Sequence, residues 1–238
     1  AVLRTTRHAD TPLIDTPHSR RMVTMSDYEY ADLIDDQDKV RLLVDPTSTY
    51  SRAAAAAMGR AMDDVIISAA LGNAKTGKDG STTTAFDSNN TIGVGSPAAG
   101  LTLSKLLEAK EILDAGNVDP SIPRYIVVAP KQISDLLGDT TVTSSDFNTV
   151  KALAQGELNQ FVGFTFITSN RLGVDSSSYR RVIAFAMDGI KLAIGKEPTA
   201  RIDERADKSY ATQVYYCQSV GATRMEEAKV VEVLCSEA

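Results

Sequence analysis

The chain has 238 residues, 43% of them hydrophobic, with a formal net charge of -6 and a pI near 5.0. This apolar fraction is enough for the core of one large domain or of two closely packed ones. The acidic balance argues against a nucleic-acid reader, because tight phosphate contact needs clustered Lys and Arg. No apolar run approaches the roughly 20 residues of a membrane helix and no stretch has the order of a signal peptide, so we expect synthesis in the cytosol.

The first 34 residues predict an extended arm. Residues 1–20 contain two Thr-Pro steps, which favour extended backbone, and residues 21–34 are rich in strand formers. The even positions of the second segment form one predicted face: Met22, Thr24, Tyr28 and Tyr30. An isolated two-stranded hairpin is marginal in water, so the arm should lie against a neighbour. Because the chain opens with Ala1 inside a polar run, we also expect that sequence upstream has been removed or left out.

A long helix is predicted from Thr47 to Leu71. Asp45 and Pro46 provide a helix start, an alanine-rich apolar run follows, and Gly72 provides a stop. A helix of about 24 residues is about 36 Å long at ~1.5 Å per residue. The alanines would let other backbone segments approach closely.

The middle of the chain changes composition twice. Residues 73–100 are rich in Gly, Ser, Thr and Asn, which predicts a long loop or a short irregular hairpin over 85–94. From Leu101 the pattern becomes α/β. The predicted elements are a helical stripe of Leu103, Leu106, Leu107 and Leu113 ending near Gly116, a buried strand over 125–129, a helix from Pro130 to Gly138, a helix over 148–158, strands over 161–168 and 181–187, and a turn at Asp188-Gly189 into 190–194.

The last third predicts a long strand from Tyr210 to Val220 whose two faces are both half apolar. A turn at Gly221 is expected to return the chain through Val230, Val231 and Val233. The strand would span about 35 Å at ~3.3 Å per residue. A small local core cannot cover such a strand, so its surfaces should be completed by other copies of the chain.

Two glycine-rich strings resemble nucleotide-binding motifs but lack the necessary context. Residues 72–79 come within one residue of a phosphate-binding loop, yet a helix precedes them where a strand is required, and Asp79 would repel phosphate. Residues 93–98 resemble a dinucleotide fingerprint only as a string, and Pro97 indicates a connector. We therefore predict no cofactor.

The residues of catalytic and metal chemistry are poorly represented. His8 and His18 are the only histidines, Cys217 and Cys235 have no metal-ligand spacing and are expected to be buried thiols, and no serine lies in a nucleophile elbow. The carboxylate clusters are each flanked by Lys or Arg, which is typical of surface or interface ion pairs. We predict no catalytic residue and no metal site.

The sequence resembles tailed-bacteriophage major capsid proteins of the Hong Kong 97 type. The resemblance covers nearly the whole chain and is carried by long strings: DTPHSRRMV (15–23), YADLIDDQDKVRLLVDPTS (30–48), MGRAMDDVIISAALG (58–72), YIVVAPKQISDLL (125–137), FNTVKALAQGELNQFVGFTFI (147–167) and DKSYATQVYYCQSVGATRMEEAKVV (207–231). The chain departs from the family at its start, where an N-terminal arm usually precedes the first hairpin.

This resemblance implies an α+β fold with four parts. Residues 1–45 would form the extended E-loop hairpin, and 46–100 the long spine helix and a following loop of the peripheral domain. Residues 101–187 would form the α/β axial domain, and 188–238 return strands, mainly in the peripheral domain.

The resemblance also implies a function. The chain would be a non-enzymatic shell protein that forms hexamers and pentamers around double-stranded DNA without sequence-specific binding and without a membrane. Portal and scaffolding proteins, and a decoration protein, would be its partners, and the virion its location. The residues predicted to contact neighbouring subunits are Arg20, Arg21, Tyr28, Tyr30, Asp35, Asp36, Arg41, Arg205, Arg224 and Glu226.

Two other classes of protein remain open at this point. An encapsulin-like bacterial compartment would share the fold and would differ in enclosing an enzyme cargo. A soluble oligomeric enzyme is the more remote alternative, and a monodisperse monomer in solution would favour it.

Overall fold

The computed structural model describes residues 18–35, 47–138 and 160–237, together with positions 7, 13 and 37. The helices in these residues are α1 (Thr47–Leu71), α2 (Leu103–Ala115) and α3 (Pro130–Gly138). The strands are β1 (Arg21–Met22), β2 (Ser26–Ile34), β3 (Ala74–Thr76), β4 (Thr82–Thr84), β5 (Thr91–Ile92), β6 (Arg124–Val128), β7 (Gln160–Phe161), β8 (Phe164–Thr168), β9 (Arg180–Ala186), β10 (Ile190–Arg205), β11 (Ala211–Arg224) and β12 (Val230–Cys235). The α+β class is confirmed.

Six strands form a mixed sheet in the order β5-β12-β9-β6-β8-β7. Strand β6 runs parallel to β8 and antiparallel to β9, which in turn pairs with β12. No residue of β9 or β12 is exposed, as expected for strands in the middle of a covered sheet. Helix α2 packs against β12 and buries Leu106, Ala109 and Leu113 in the main core.

Three longer strands form a second sheet in the order β10-β11-β2, all antiparallel. Helix α1 packs against β11, the central strand. The predicted bounds of α1 are confirmed, and the Gly72 amide donates a hydrogen bond to the Ser68 carbonyl at 2.9 Å where the helix ends. The proposed start signal, Asp45-Pro46, lies outside the described residues.

The predicted pairing of β11 is wrong. The strand does not turn at Gly221 to pair with 230–233; it continues to Arg224 and pairs with β10 on one side and β2 on the other. Strand β12 instead joins the six-stranded sheet. Gly221 is required for a different reason, because a Cβ there would lie 2.5 Å from the Thr24 carbonyl oxygen of the adjacent segment.

A small third sheet, in the order β1-β3-β4, follows α1. The hairpin in the 73–100 region is therefore formed by β3 and β4, not by residues 85–94 as predicted. Its turn contains Gly77 and Gly80, both with positive φ, a conformation that favours glycine.

Several smaller expectations are corrected or stay untested. Leu107 does not join the buried stripe of α2 and is 51% exposed. Residues 161–168 form a short hairpin of β7 and β8 around Val162 and Gly163, not one strand. The predicted helix over 148–158 lies outside the described residues. The elements predicted around 125–129, 130–138 and 181–187 are confirmed to within a residue.

Candidate assembly interface

Helix α1 covers the middle of one face of the three-stranded sheet. Ala54 and Met58 are buried on the helix, and the Met58 carbonyl accepts a hydrogen bond from Gln218 Nε2 of β11 at 3.0 Å. The hydroxyls of Ser51 and Tyr216 share a hydrogen bond of 2.8 Å. These contacts hold the helix on β11, so the flanking strands receive less cover.

Strand β10 is the most exposed element of the sheet. All of its 16 residues except Ile190, Ala193 and Arg205 are exposed, and Ile194 and Ile202 retain 49% and 50% of their surface. It is also an outer strand, paired on one side only within the described residues. An exposed edge with apolar side chains is a template for association with another chain. The sequence analysis did not identify this surface, since it predicted a strand only as far as residue 194.

The opposite outer strand, β2, presents aromatic and acidic side chains. Tyr28 and Tyr30 are half-buried, and Tyr30 donates a hydrogen bond to Asp32 Oδ2 at 3.4 Å. Partial burial, with a smaller contribution from the Asp32 carboxylate, raises the pKa of Tyr30. Arg20 and Asp35, at the two ends of this region, are exposed. Asp36 and Arg41 lie outside the described residues.

Two other predicted contact residues lie at the surface but are bonded within the chain. Arg205 donates to both carboxylate oxygens of Asp207, at 2.7 and 2.6 Å, and to Gln213 Oε1 at 3.0 Å. Glu226 pairs with Lys229 at 3.1 Å. Their free surface remains available to a neighbour, although their charge is already partly balanced.

Arg224 is a correction to the predicted contact residues, because it is fully buried inside the chain. Its Nη1 donates to the carbonyls of Ala70 and Gly72 at 2.8 and 2.7 Å, and its Nε donates to Glu227 at 2.6 Å. The guanidinium also lies over the Phe86 ring at 5.2 Å. Arg224 therefore joins the end of α1 to the segment before β12 and cannot contact another subunit.

Arg21 has a similar internal role. Its side chain is largely buried, donates from Nε to the Met225 carbonyl at 2.9 Å, and lies 3.5 Å from Glu227. Arg21 and Arg224 thus share the Glu227 carboxylate. The sequence pattern of alternating charges indicated ion pairs correctly but not that these pairs lie within one chain.

The face of the three-stranded sheet away from α1 is polar. Tyr215 donates to Glu29 Oε1 at 3.0 Å, and Lys196 lies beside Cys217. Hydrogen bonding to Cys217 first, and to Glu29 second, raises the pKa of Tyr215 to about 12. Both cysteines are buried as predicted, and burial raises the pKa of Cys235 to about 11.

The described residues hold no group of three or more His, Cys, Asp or Glu side chains arranged to bind a metal ion. Among the same residues, none of the helices combines the length and apolar character needed to cross a membrane.

Solved structures with a similar fold include phage capsids and an encapsulin. The capsid of the cyanophage P-SCSP1u superposes with a TM-score of 0.71 and 17% identity, over 100% of this chain and 81% of that chain. The capsid of cyanophage Pam1 gives 0.67 and 15%, over 100% and 83%. The holo-SrpI encapsulin complex from Synechococcus elongatus PCC 7942 gives 0.57 and 8%, over 91% and 75%. A search of the curated proteins found no match.

These likenesses define the class of fold: an α+β fold of the Hong Kong 97 type. The sequence resolves the choice within that class, because residues 1–237 match the phage capsid protein family. The chain belongs to that family and is a phage capsid protein.

Proposed function

We propose that the chain is the major capsid protein that assembles into hexamers and pentamers and forms the icosahedral head of a tailed double-stranded DNA phage. The observation that carries the proposal is the match to the phage capsid protein family over residues 1–237. The holo-SrpI encapsulin shares the fold of this chain at 8% identity. A likeness at this identity supports the fold and not an encapsulin function.

The exposed surfaces of the three-stranded sheet support self-assembly. Strand β10 leaves Leu192, Ile194 and Ile202 uncovered, and apolar surface of this kind is stabilised when a second copy removes it from water. Each contact is weak alone. In a closed shell every subunit makes several such contacts at once, and their combined effect is much stronger than that of any single contact.

We assign the six-stranded sheet with α2 and α3 to the axial domain, and α1 with β10, β11 and β2 to the peripheral domain. The predicted boundary at residue 188 then needs one change, since β12 belongs to the six-stranded sheet. Residues 1–45 remain our candidate for the E-loop, although β2 within this range pairs with β11.

For the subunit contacts we retain the predicted residues that are exposed or half-buried: Arg20, Tyr28, Tyr30, Asp35, Arg205 and Glu226. Asp36 and Arg41 stay predictions. The role is structural, without catalysis, and the partners would be other copies, a portal, a scaffolding protein and a decoration protein. The chain would be made in the host cytoplasm and reside in the virion.

Electron microscopy of the expressed protein tests the proposal. We expect closed shells from the natural sequence, and shells isolated from infected cells should contain nuclease-protected DNA. Shells that hold an enzyme and no DNA would indicate an encapsulin-like compartment. A monomer that never associates at any concentration would contradict both readings and favour a soluble enzyme.

The contact residues are tested by the triple variant Arg20→Ala, Tyr28→Ala, Tyr30→Ala. We expect folded subunits that fail to form shells, because the variant truncates exposed or half-buried side chains. Lys110→Ala, on the exposed side of α2, is the control and should assemble normally. Normal shells from the triple variant would remove these residues from the interface.

A further inference from the structure

A basic cavity of about 620 Å³ lies beside the small sheet β1-β3-β4. His18, Ser19 and Arg20 line it from the segment before β1, and Thr76, Gly77 and Lys78 line it from the turn after β3. Backbone pairing fixes this arrangement, since Arg21 lies opposite Thr76 and Met22 opposite Lys75. The cavity is thus formed by two chain segments that are distant in sequence and held together by a sheet.

Within the described residues, the charge of the cavity has no partner. None of the described lining residues is acidic, and neither Arg20 nor Lys78 forms an ion pair with a carboxylate of the described residues. Lys75 does not line the cavity, and its Nζ lies 3.3 Å from Thr24 Oγ1. Asp79 follows in the turn but does not line the cavity. By contrast, Arg205 and Arg224 each bind a carboxylate within the chain.

These groups suit an oxyanion. Arg and Lys supply charge and N–H donors, and the Ser19 hydroxyl supplies a further donor, whereas the Thr76 hydroxyl donates to the Thr82 carbonyl at 3.3 Å. The ligand could in principle be a carboxylate or a phosphate. The acidic clusters of this chain have Lys or Arg beside them in sequence, so their charge is already partly balanced. DNA phosphates carry exchangeable counterions instead, and the release of these ions favours binding. The cavity's charge therefore fits phosphate better than an acidic segment of a second copy.

We propose that this cavity binds the phosphate backbone of double-stranded DNA without regard to sequence and opens toward the packaged genome. The proposal rests on the proposed capsid function. On a chain with a net charge of -6, one local basic site would let DNA touch the shell at a defined point while the rest of the surface repels it.

The salt dependence of DNA binding tests the site. Unassembled full-length protein is titrated against a mixed-sequence DNA duplex at several salt concentrations. For Arg20→Ala, Lys78→Ala we expect the slope of log K against log [salt] to become shallower by about 2, since each phosphate contact contributes about 0.9. The matched control, Arg52→Ala, Lys110→Ala, removes the same two charges from exposed helix positions and should leave the slope unchanged. An equal change of slope in both double variants would overturn the site.

Assembly is measured separately on Lys78→Ala alone, because Arg20 is also a proposed subunit contact. We expect Lys78→Ala to form shells while its slope of log K against log [salt] becomes shallower by about 1. Loss of shells with an unchanged DNA slope would assign the cavity to an acidic segment of a neighbouring subunit and overturn the proposal. If the natural sequence forms no shells yet shows the predicted slopes, the capsid function fails while the phosphate site stands.

The direction of the cavity is tested with Lys78→Cys and a maleimide bearing a polymer too large to cross a protein shell. We expect labelling of free subunits and protection in intact shells. The natural sequence is the control, because Cys217 and Cys235 are both buried. Equal labelling of shells and free subunits would place the cavity outside and overturn the DNA contact.

Discussion

The two large sheets of this protein differ in how completely their surfaces are covered by the rest of the described chain. In the six-stranded sheet, β9 and β12 have no exposed residue, and the main core forms around them. In the three-stranded sheet, α1 covers β11, while β10 remains exposed along almost its full length. The first region completes its own core. The second leaves apolar surface uncovered by the described residues, and a shell subunit buries surface of this kind against another copy.

The largest effect should distinguish a core side chain from an exposed one. Phe164→Ala removes a fully buried ring of β8, and we expect a loss of about 3 to 5 kcal/mol in the free energy of unfolding. Ile202→Ala, on exposed β10, should change that free energy by less than about 0.5 kcal/mol and should weaken assembly instead. Urea unfolding of unassembled subunits and light scattering of assembly measure the two effects. Similar unfolding losses for both variants would contradict the division between the regions.

The second largest loss of unfolding free energy is expected at Arg224, whose contacts join the two regions. Arg224→Ala leaves two backbone carbonyls without their donor and leaves Glu227 with Arg21 alone, and we expect a loss of about 3 kcal/mol in unfolding free energy. Arg205→Ala breaks an exposed pair with Asp207 and should cost less than about 1 kcal/mol. Urea unfolding compares the two arginines directly. A cost for Arg224→Ala as small as that for Arg205→Ala would show that the buried contacts contribute little.

A smaller effect is expected where β11 passes close to the segment between β1 and β2. In Gly221→Ala the new Cβ would lie 2.5 Å from the Thr24 carbonyl oxygen and 2.8 Å from Val23 Cγ1, so the segments must separate. We expect a loss of about 1 to 3 kcal/mol in thermal or urea unfolding. Gly93→Ala is the control, because its Cβ would meet nothing within 4 Å. No difference between the two variants would mean that the segment 23–25 moves away freely.

The smallest effect concerns the ion pair between α1 and the loop after β8. Hydrogen bonding to Arg171 lowers the pKa of Asp64 below its ordinary value of 3.8. A lowered pKa means that the pair stabilises the folded state above that value, and this stability is lost as the pH falls through the pKa of the folded state. Because both side chains are partly exposed, Asp64→Asn should cost less than about 1 kcal/mol at neutral pH.

Urea unfolding at a series of pH values measures this dependence. The difference between the natural protein and Asp64→Asn should disappear below the pKa of Asp64. Asp63→Asn, which removes a neighbouring exposed carboxylate without an ion pair in the described structure, is the control. A difference that persists unchanged in acid would show that the Arg171 pair is not its origin.

Local signals in the sequence were sufficient for elements whose boundaries depend on nearby residues. The end of helix α1 was predicted because an apolar alanine-rich run stops at Gly72, while its start at Thr47 was implied by the family resemblance; α3 was predicted because Pro130 and Gly138 mark its two ends. Strand pairing depends on distant contacts, and there the prediction failed: β11 was given β12 as a partner in place of β10 and β2. Gly195 and Pro198 are unusual inside a strand, so the second half of β10 was not predicted. In the structure, register shifts between Ile194 and Thr199 accommodate both residues.

The candidate interface was predicted less well than the fold. Charge patterns cannot distinguish a buried arginine from an exposed one, so Arg224 was placed at the surface. The basic cavity was missed because its two halves, around residues 19 and 77, come together only through the β1-β3 pairing. Ile202 of β10 was missed because Gly195 and Pro198 interrupt the alternating pattern of Ile190, Leu192 and Ile194 that precedes it.

The guanidinium of Arg224 has a mechanical consequence. Arg224 contacts the end of α1, the Phe86 ring and Glu227 at the same time. We therefore expect the two sheets to move as one rigid body when the subunit adapts to different shell curvatures. The register of β10 against β11 shifts between Ile194 and Thr199, so we expect this stretch to bend more easily than the rest of the strand. A closed shell formed by one kind of subunit needs subunits that can bend. In this protein we expect the bend in the outer strand β10 and not at the Arg224 contacts.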